Sequence, residues 1–314
     1  MVFSPSSKSL SQTEIDYTLQ GCEVGIRVDG RSLKDVRPYQ VSIGTLSLSN
    51  GSARVFLPGG ETDIICSVKA EVCPSRSQSD NGDIQISVEF LGDAGVSTNF
   101  GMRNKTMKRE AELSKILQKL LANAIDLRGL CIVPGKWVWG LYVDILVLAS
   151  EGNLLDCCSF AAFSALNATL LPHITCIKQT DDRKKPSKAS DDFLVDADIS
   201  KATLPPGIDL CPVVVTVSKV SNGNHMIVDA LPEEEMCASA LVSVSVDQKG
   251  SICGIQKCGS GSLPISQLNH ITEVATNVSS VLFRNIQASI KKQSNCGETS
   301  KACSDLLQNY FEII

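Results

Sequence analysis

The sequence predicts an α/β fold, mixed in the α+β sense, and three observations carry that expectation. Ile84, Ile86, Val88 and Phe90 alternate with polar residues, the period of a half-buried strand. From Arg109 the period changes: Leu113, Ile116, Leu117, Leu120, Leu121 and Ala124 recur at helical spacing. The same order, strand runs and then a helix, returns in the second half, which suggests two similar β-α halves packed as sheets and helices. At 314 residues, and roughly 150 per domain, the chain is two domains or one large one with extensions.

The elements follow in order. Ser11-Gln-Thr-Glu14 has the form of a capping box and starts a helix over 12–20, ended near Gly21. Strands are expected at 41–48 and 52–57, joined through Asn50-Gly51, a hairpin signal, and at 62–72 and 84–91. A helix over 109–125 keeps Lys115, Gln118 and Lys119 on its polar face. Trp137 to Ala149 reads as a buried strand, 154–166 as a helix apolar nearly all round, and 174–178 as a strand. Residues 180–207, with Asp181-Asp182, Arg183-Lys184-Lys185 and Pro205-Pro206, read as an exposed insertion. Strands resume at 211–220, 226–229, 240–247 and 252–257, and a long helix follows over 264–292. The main domain is therefore 12–292. Residues 1–11 are a Ser-rich segment expected to be disordered, and 293–314 are a tail with an apolar cluster at Leu306, Leu307, Tyr310, Phe311, Ile313 and Ile314.

Composition removes several function classes. The net charge of -5 argues against a globally basic nucleic-acid binder. The first residues lack an apolar signal core, and the longest apolar run carries Asp144, so a soluble intracellular protein without membrane contact is expected. The 13 cysteines and three histidines show no paired metal-ligand spacing, so the thiols read as reduced core residues, with Cys66, Cys176, Cys211 and Cys253 inside apolar runs. No metal and no cofactor is expected. Neither a G-x-S-x-G elbow nor a P-loop occurs.

Several segments, in order, resemble one family. Arg27-Val-Asp-Gly-Arg31, Arg37, Gly51-Ser-Ala-Arg54, Thr62-Asp63 and Val68-Lys-Ala-Glu71 resemble the opening of RNase PH-like domains. Leu130-Cys-Ile132, Trp137 to Asp144 and Gly152-Asn-Leu-Leu-Asp156 are similar to the family's middle, and Val228-Asp229, Glu233 to Glu235 and Gly259-Ser-Gly-Ser-Leu263 to its second half. Within the family the chain most resembles non-catalytic ring subunits of the eukaryotic RNA exosome. That resemblance implies a hetero-hexameric ring of such subunits, cap subunits with RNA-binding domains, single-stranded RNA passing through a channel, and a place in the nucleus, nucleolus and cytoplasm.

It also implies a chemistry to look for. Active members use phosphate to attack the last phosphodiester of RNA, which needs an anion cradle and carboxylates for a divalent cation. The cradle position in this chain is Gly152-Asn153-Leu154-Leu155-Asp156, without the family's hydroxyl or arginine. The paired carboxylates become Asp229 and, six positions on, Glu235. Asn153, Asp229 and Glu235 are thus degenerate positions, Asp229 capping a turn and Glu233 to Glu235 forming a solvated acidic run, and no catalytic residue is expected; the alternative is a phosphorolytic exoribonuclease using Asp229 and Glu235. Arg27, Asp29, Arg31 and Arg37 read as ion pairs that fix the path of the chain. Arg103, Lys105, Lys108 and Arg109 put four basic residues into seven positions just before a helix, a candidate RNA-phosphate surface.

Overall fold

The computed structural model describes residues 10–58, 62–75, 80–91, 100–122, 125–176, 193–196, 198, 201–220 and 225–296. Its helices are α1 (Gln12–Val24), α2 (Phe100–Leu121), α3 (Leu154–Asn167), α4 (Pro232–Cys237) and α5 (Ile265–Cys296). Its strands are β1 (Gln40–Ile43), β2 (Gly51–Leu57), β3 (Thr62–Pro74), β4 (Asp83–Phe90), β5 (Cys131–Val133), β6 (Trp137–Ala149), β7 (Ile174–Cys176), β8 (Phe193–Val195), β9 (Val213–Val220), β10 (His225–Val228), β11 (Ala240–Val246) and β12 (Ile252–Cys258).

A six-stranded sheet runs β1-β2-β3-β6-β4, with β5 on β6; a four-stranded sheet runs β10-β9-β11-β12. All ladders of the large sheet are antiparallel except β4 on β6, which is parallel, Ile86 facing Val143 in register. The expected pair of β-α halves is present, though the sheets differ in size.

The core lies around α3. Every residue from Leu154 to Leu166 is buried, because α3 packs on β2 and β3 of one sheet and on β9 of the other. Ala161, Ala162 and Ala165 let the sheets approach, and Phe163 meets Phe283 of α5 edge-on with ring centroids 5.3 Å apart. The apolar periodicity of this segment on all faces is the signature of such a position.

Helix side chains bond backbone groups at both edges of the large sheet. Glu110, Ser114 and Gln118 lie one helical turn apart on α2, and they accept from the N–H groups of Phe90, Val88 and Ile86 on β4 at 3.0, 2.9 and 2.7 Å. Gln118 also donates to the Ile84 carbonyl. At the opposite edge Gln293 of α5 accepts from Ile43 N–H at 2.8 Å and donates to the Val41 carbonyl. Gln118, read from sequence as part of a solvated face, is therefore partly buried backbone clasp.

The helix expected at 109–125 starts instead at Phe100, so the basic positions lie inside its first turns rather than ahead of it. α1 starts as expected at Ser11, with both capping-box bonds present, but runs past Gly21 and stops at Gly25 in the left-handed conformation (φ 81°). Ser11 is thus ordered, while 1–9 and the tail beyond 296 lie outside the described residues, and so does most of the insertion; within the insertion β8 pairs with β7. The cysteine expectation holds for Cys66 and Cys211, both buried; Cys253 is exposed, on the edge strand β12, and the side chain of Cys176 lies outside the described residues. Among the described residues no helix is long and apolar enough to cross a membrane.

Candidate functional site

The degenerate positions converge on one buried cluster at the junction of the two sheets. Asp229 follows the last residue of β10 and Asn153 precedes α3; both hold left-handed backbone, φ 52° and 51°. Asp and Asn tolerate that region better than other side-chain-bearing residues. Between them Gly152 (φ +78°) lets the start of α3 press against 230–232; a Cβ there would lie 2.7 Å from the Ala230 carbonyl oxygen.

The Asp229 carboxylate is saturated. Oδ2 accepts from Arg37 N–H at 2.7 Å and Arg31 Nη1 at 2.8 Å. Oδ1 accepts from Arg37 Nη2 at 2.7 Å and Asn153 Nδ2 at 2.9 Å. Burial alone would raise its pKa, but the Arg37 hydrogen bonds and the charges of Arg37 and Arg31 outweigh that and hold it below the ordinary carboxylate value. Far from capping a turn, Asp229 is the anchor for two arginines. The reading of these arginines as structural holds, with Asp229 as the main partner; among the described residues Asp29 pairs with Arg31, near the surface.

The acidic run is not solvated either. Glu233 is exposed, but Glu234 is fully buried and takes a bidentate pair from Arg27, Nε to Oε1 at 2.9 Å and Nη2 to Oε2 at 2.5 Å. Arg27 spends its remaining donors on the backbone carbonyls of Val228, Asp229 and Asp35. Glu235 points to the N-terminus of α3, where its Oε1 accepts from Asn153 N–H at 2.6 Å. Burial pushes its pKa up to about 8, the Asn153 hydrogen bond and Arg109 and Arg37 opposing. The helix N-terminus, a natural anion site, thus already holds an internal carboxyl group. Leu154 and Leu155 are packed into the core behind it.

Asp156, one turn into α3, is a member that sequence reasoning did not single out. It accepts from Thr216 N–H at 2.8 Å and Thr216 Oγ1 at 2.6 Å, tying α3 to β9. Burial drives its pKa up to about 7 against those bonds. Besides its place at the end of the Gly152–Asp156 segment, its sequence signal was a carboxylate inside an apolar helix, which must find donors. The divalent cation of phosphorolysis does not fit this cluster. Asp229 has no free lone pair directed outward, and among the described residues no three His, Cys, Asp or Glu side chains converge on a metal position.

The candidate RNA-contacting residues separate. Lys108 is exposed. Arg109 is half-buried and stacks its guanidinium over the Phe90 ring at 4.9 Å, close enough to lower the Glu235 pKa. It belongs to the junction, not to an outward basic surface. Arg103 and Lys105 lie on the first turns of α2, and their side chains fall outside the described residues.

The raised carboxyls fix a pH dependence. Between 4.5 and about 8 the folded protein holds a proton on Glu235 that the unfolded chain releases, so stability falls as pH rises through that window. Asp156 acts in the same sense between 3.8 and about 7. Asp229 acts oppositely, its contribution being present above 3.8 and lost on acidification. Glu235→Gln keeps an acceptor for Asn153 and removes the titration. It is expected to flatten the loss of stability between about pH 5 and about pH 8 by roughly 1–3 kcal/mol, read from urea unfolding at several pH values. An unchanged slope would mean that Glu235 is ionised in the folded protein.

Comparison with known proteins agrees with the fold. Residues 35–172 match domain 1 and residues 211–278 match domain 2 of the 3′ exoribonuclease family, RNase PH. An exosome complex component Rrp42 of Sulfurisphaera tokodaii is 32% identical over 94% of this chain and 100% of its own length. A second Rrp42, of Methanopyrus kandleri, is 31% identical over 90% and 98%, and a Dictyostelium discoideum relative named "Putative exosome complex exonuclease RRP42" is 30% identical over 92% and 100%. Among solved structures, an Archaeoglobus fulgidus exosome with RNA bound to the active site is similar with a TM-score of 0.68 and 26% identity, covering 87% of this chain and 97% of that one. With both domains matched in order and relatives of this identity spanning nearly its whole length, the chain belongs to the RNase PH family of 3′ exoribonucleases.

Proposed function

We propose that this protein is a non-catalytic structural subunit of an RNA exosome core ring. It supports 3′-to-5′ RNA processing and degradation by completing a hetero-hexamer of RNase PH-type subunits and lining the channel that single-stranded RNA enters beneath RNA-binding cap subunits. Nucleus, nucleolus and cytoplasm are its expected compartments. The relatives' names support the assembly. One observation carries the absence of catalysis: the α3 N-terminus, where a nucleophilic phosphate would have to sit, is filled by the Glu235 carboxyl group, and the Asp229 carboxylate is consumed by Arg31, Arg37 and Asn153. An enzyme cannot stabilise an incoming anion at a donor already used by its own side chain.

The isolated protein is expected to release no nucleoside diphosphates from a 3′-labelled oligonucleotide given phosphate and Mg²⁺. Release that disappears in Asp229→Asn, in a variant shown by circular dichroism to stay folded, would establish the phosphorolytic alternative. Channel lining has its own test. A ring reconstituted with Arg103, Lys105 and Lys108 all changed to Glu is expected to bind single-stranded RNA more weakly, with a salt slope shallower by about 0.7 for each phosphate that is no longer neutralised. Unchanged affinity and slope in an intact ring would leave these residues without an RNA role.

A further inference from the structure

α1 and the turn after it hold four large apolar side chains in solvent: Tyr17 is 69%, Val24 74%, Ile26 63% and Val28 60% exposed. They are not scattered. With Thr18, Gly21 and Cys22 they line a groove of about 310 Å³, floored by Arg27 and Glu234. The fold fixes this shape. Gly25 N–H bonds the Cys22 carbonyl at 3.1 Å and Ile26 N–H the Gly21 carbonyl at 2.9 Å, turning the chain so that Ile26 and Val28 come back alongside Tyr17 and Val24. A Cβ on Gly21 would lie only 2.9 Å from the Ile26 oxygen, so the turn needs this glycine. A contiguous apolar surface of this kind marks a contact with another molecule.

Charge selects the occupant. Along α1, residues 12–24, the acidic side chains are Glu14, Asp16 and Glu23 and there is no basic one; beyond it Arg27 is buried in its pair with Glu234, and Asp29 is paired with Arg31. Glu233, exposed beside that floor, adds to the acidic rim. We infer that the groove receives a segment of another polypeptide, apolar in its middle and flanked by Lys or Arg. The chain's own tail is a poor match: residues 297–314 carry an apolar cluster, but Glu298, Asp305 and Glu312 stand against Lys301 alone. A second copy docking groove to groove would face acidic rim with acidic rim. The inference goes beyond ring membership and does not depend on it, because the groove asks for a partner of this chemistry whatever complex supplies it.

The test uses the full chain expressed in its own cells, with photoreactive p-benzoylphenylalanine introduced in place of Tyr17. After irradiation the crosslinked peptides are sequenced by mass spectrometry. The expected adduct is a segment of a different polypeptide, apolar at the crosslink and bearing Lys or Arg on both sides. Adding Val24→Asp and Ile26→Asp, both at exposed positions that leave the core intact, is expected to reduce the adduct on the order of tenfold, about 1.4 kcal/mol of binding. Leu48→Asp, at a side chain 96% exposed elsewhere, is expected to leave it unchanged. An adduct with residues 297–314, with a second copy, or with a segment lacking basic flanks overturns the inference, as does no adduct. Co-purification of RNase PH-type subunits in the same sample reads ring membership separately, so the two readings can fail independently.

Discussion

Asp229→Ala is expected to destabilise the protein by about 3–5 kcal/mol, measured by urea unfolding at neutral pH. The substitution removes the shared acceptor of Arg37 and Arg31, whose side chains are only 5% and 14% exposed, and leaves one guanidinium charge buried without its counter-ion. It also strands the Asn153 amide that donates to the same carboxylate. The direction separates two kinds of site. A carboxylate kept for catalysis is held in an unfavourable place, and its removal usually leaves stability unchanged or raises it. A carboxylate kept for cohesion does the opposite. Equal or greater stability in Asp229→Ala would return Asp229 to the candidate catalytic groups.

Glu234→Ala is expected to cost a similar amount, about 3–5 kcal/mol, by leaving Arg27 charged and 3% exposed. The double variant Arg27→Met, Glu234→Leu sharpens the point. It removes both charges together, so the desolvation penalty disappears with the attraction, and packing replaces the pair. Most of the loss in Glu234→Ala is expected to be regained, although the Val228 and Asp229 carbonyls lose the donors that Arg27 supplied. If the double variant is as unstable as Glu234→Ala, the pair's value lies in those carbonyl bonds rather than in balanced charge.

Period and composition made the sheets and long helices legible. Trp137–Ala149 is legible to the residue, because this strand between β3 and β4 is apolar along nearly its whole length, Asp144 being its one charged residue. α3 is legible for the same reason. The start of α2 is not: Phe100, Met102 and Met107 are set among polar residues from 100 to 108 without a helical apolar period to read. α4, a six-residue helix, leaves only a proline and three glutamates. Those glutamates show most clearly where local reading stops. Glu233, Glu234 and Glu235 are identical in sequence terms, yet one is exposed, one is buried on Arg27 and one caps α3. What distinguishes them is a set of partners 82 to 207 positions away, which no window contains. Asn153, Asp229 and Glu235 stand out by motif position, but that they bond to one another could only come from the fold.

The helix-bonded edges of the large sheet bear on how the molecule meets others. A strand offers itself to a new neighbour through a row of unsatisfied amides, and Ile86, Val88 and Phe90 on one rim and Ile43 on the other have none to offer. Lateral templating, whether by a peptide adding itself as an extra strand or by a misfolded copy, finds no purchase there. Joining at these positions must therefore go side chain to side chain. In hydrogen exchange these rim amides should hold their protons like interior ones, and they should lose that protection only when α2 or α5 peels away.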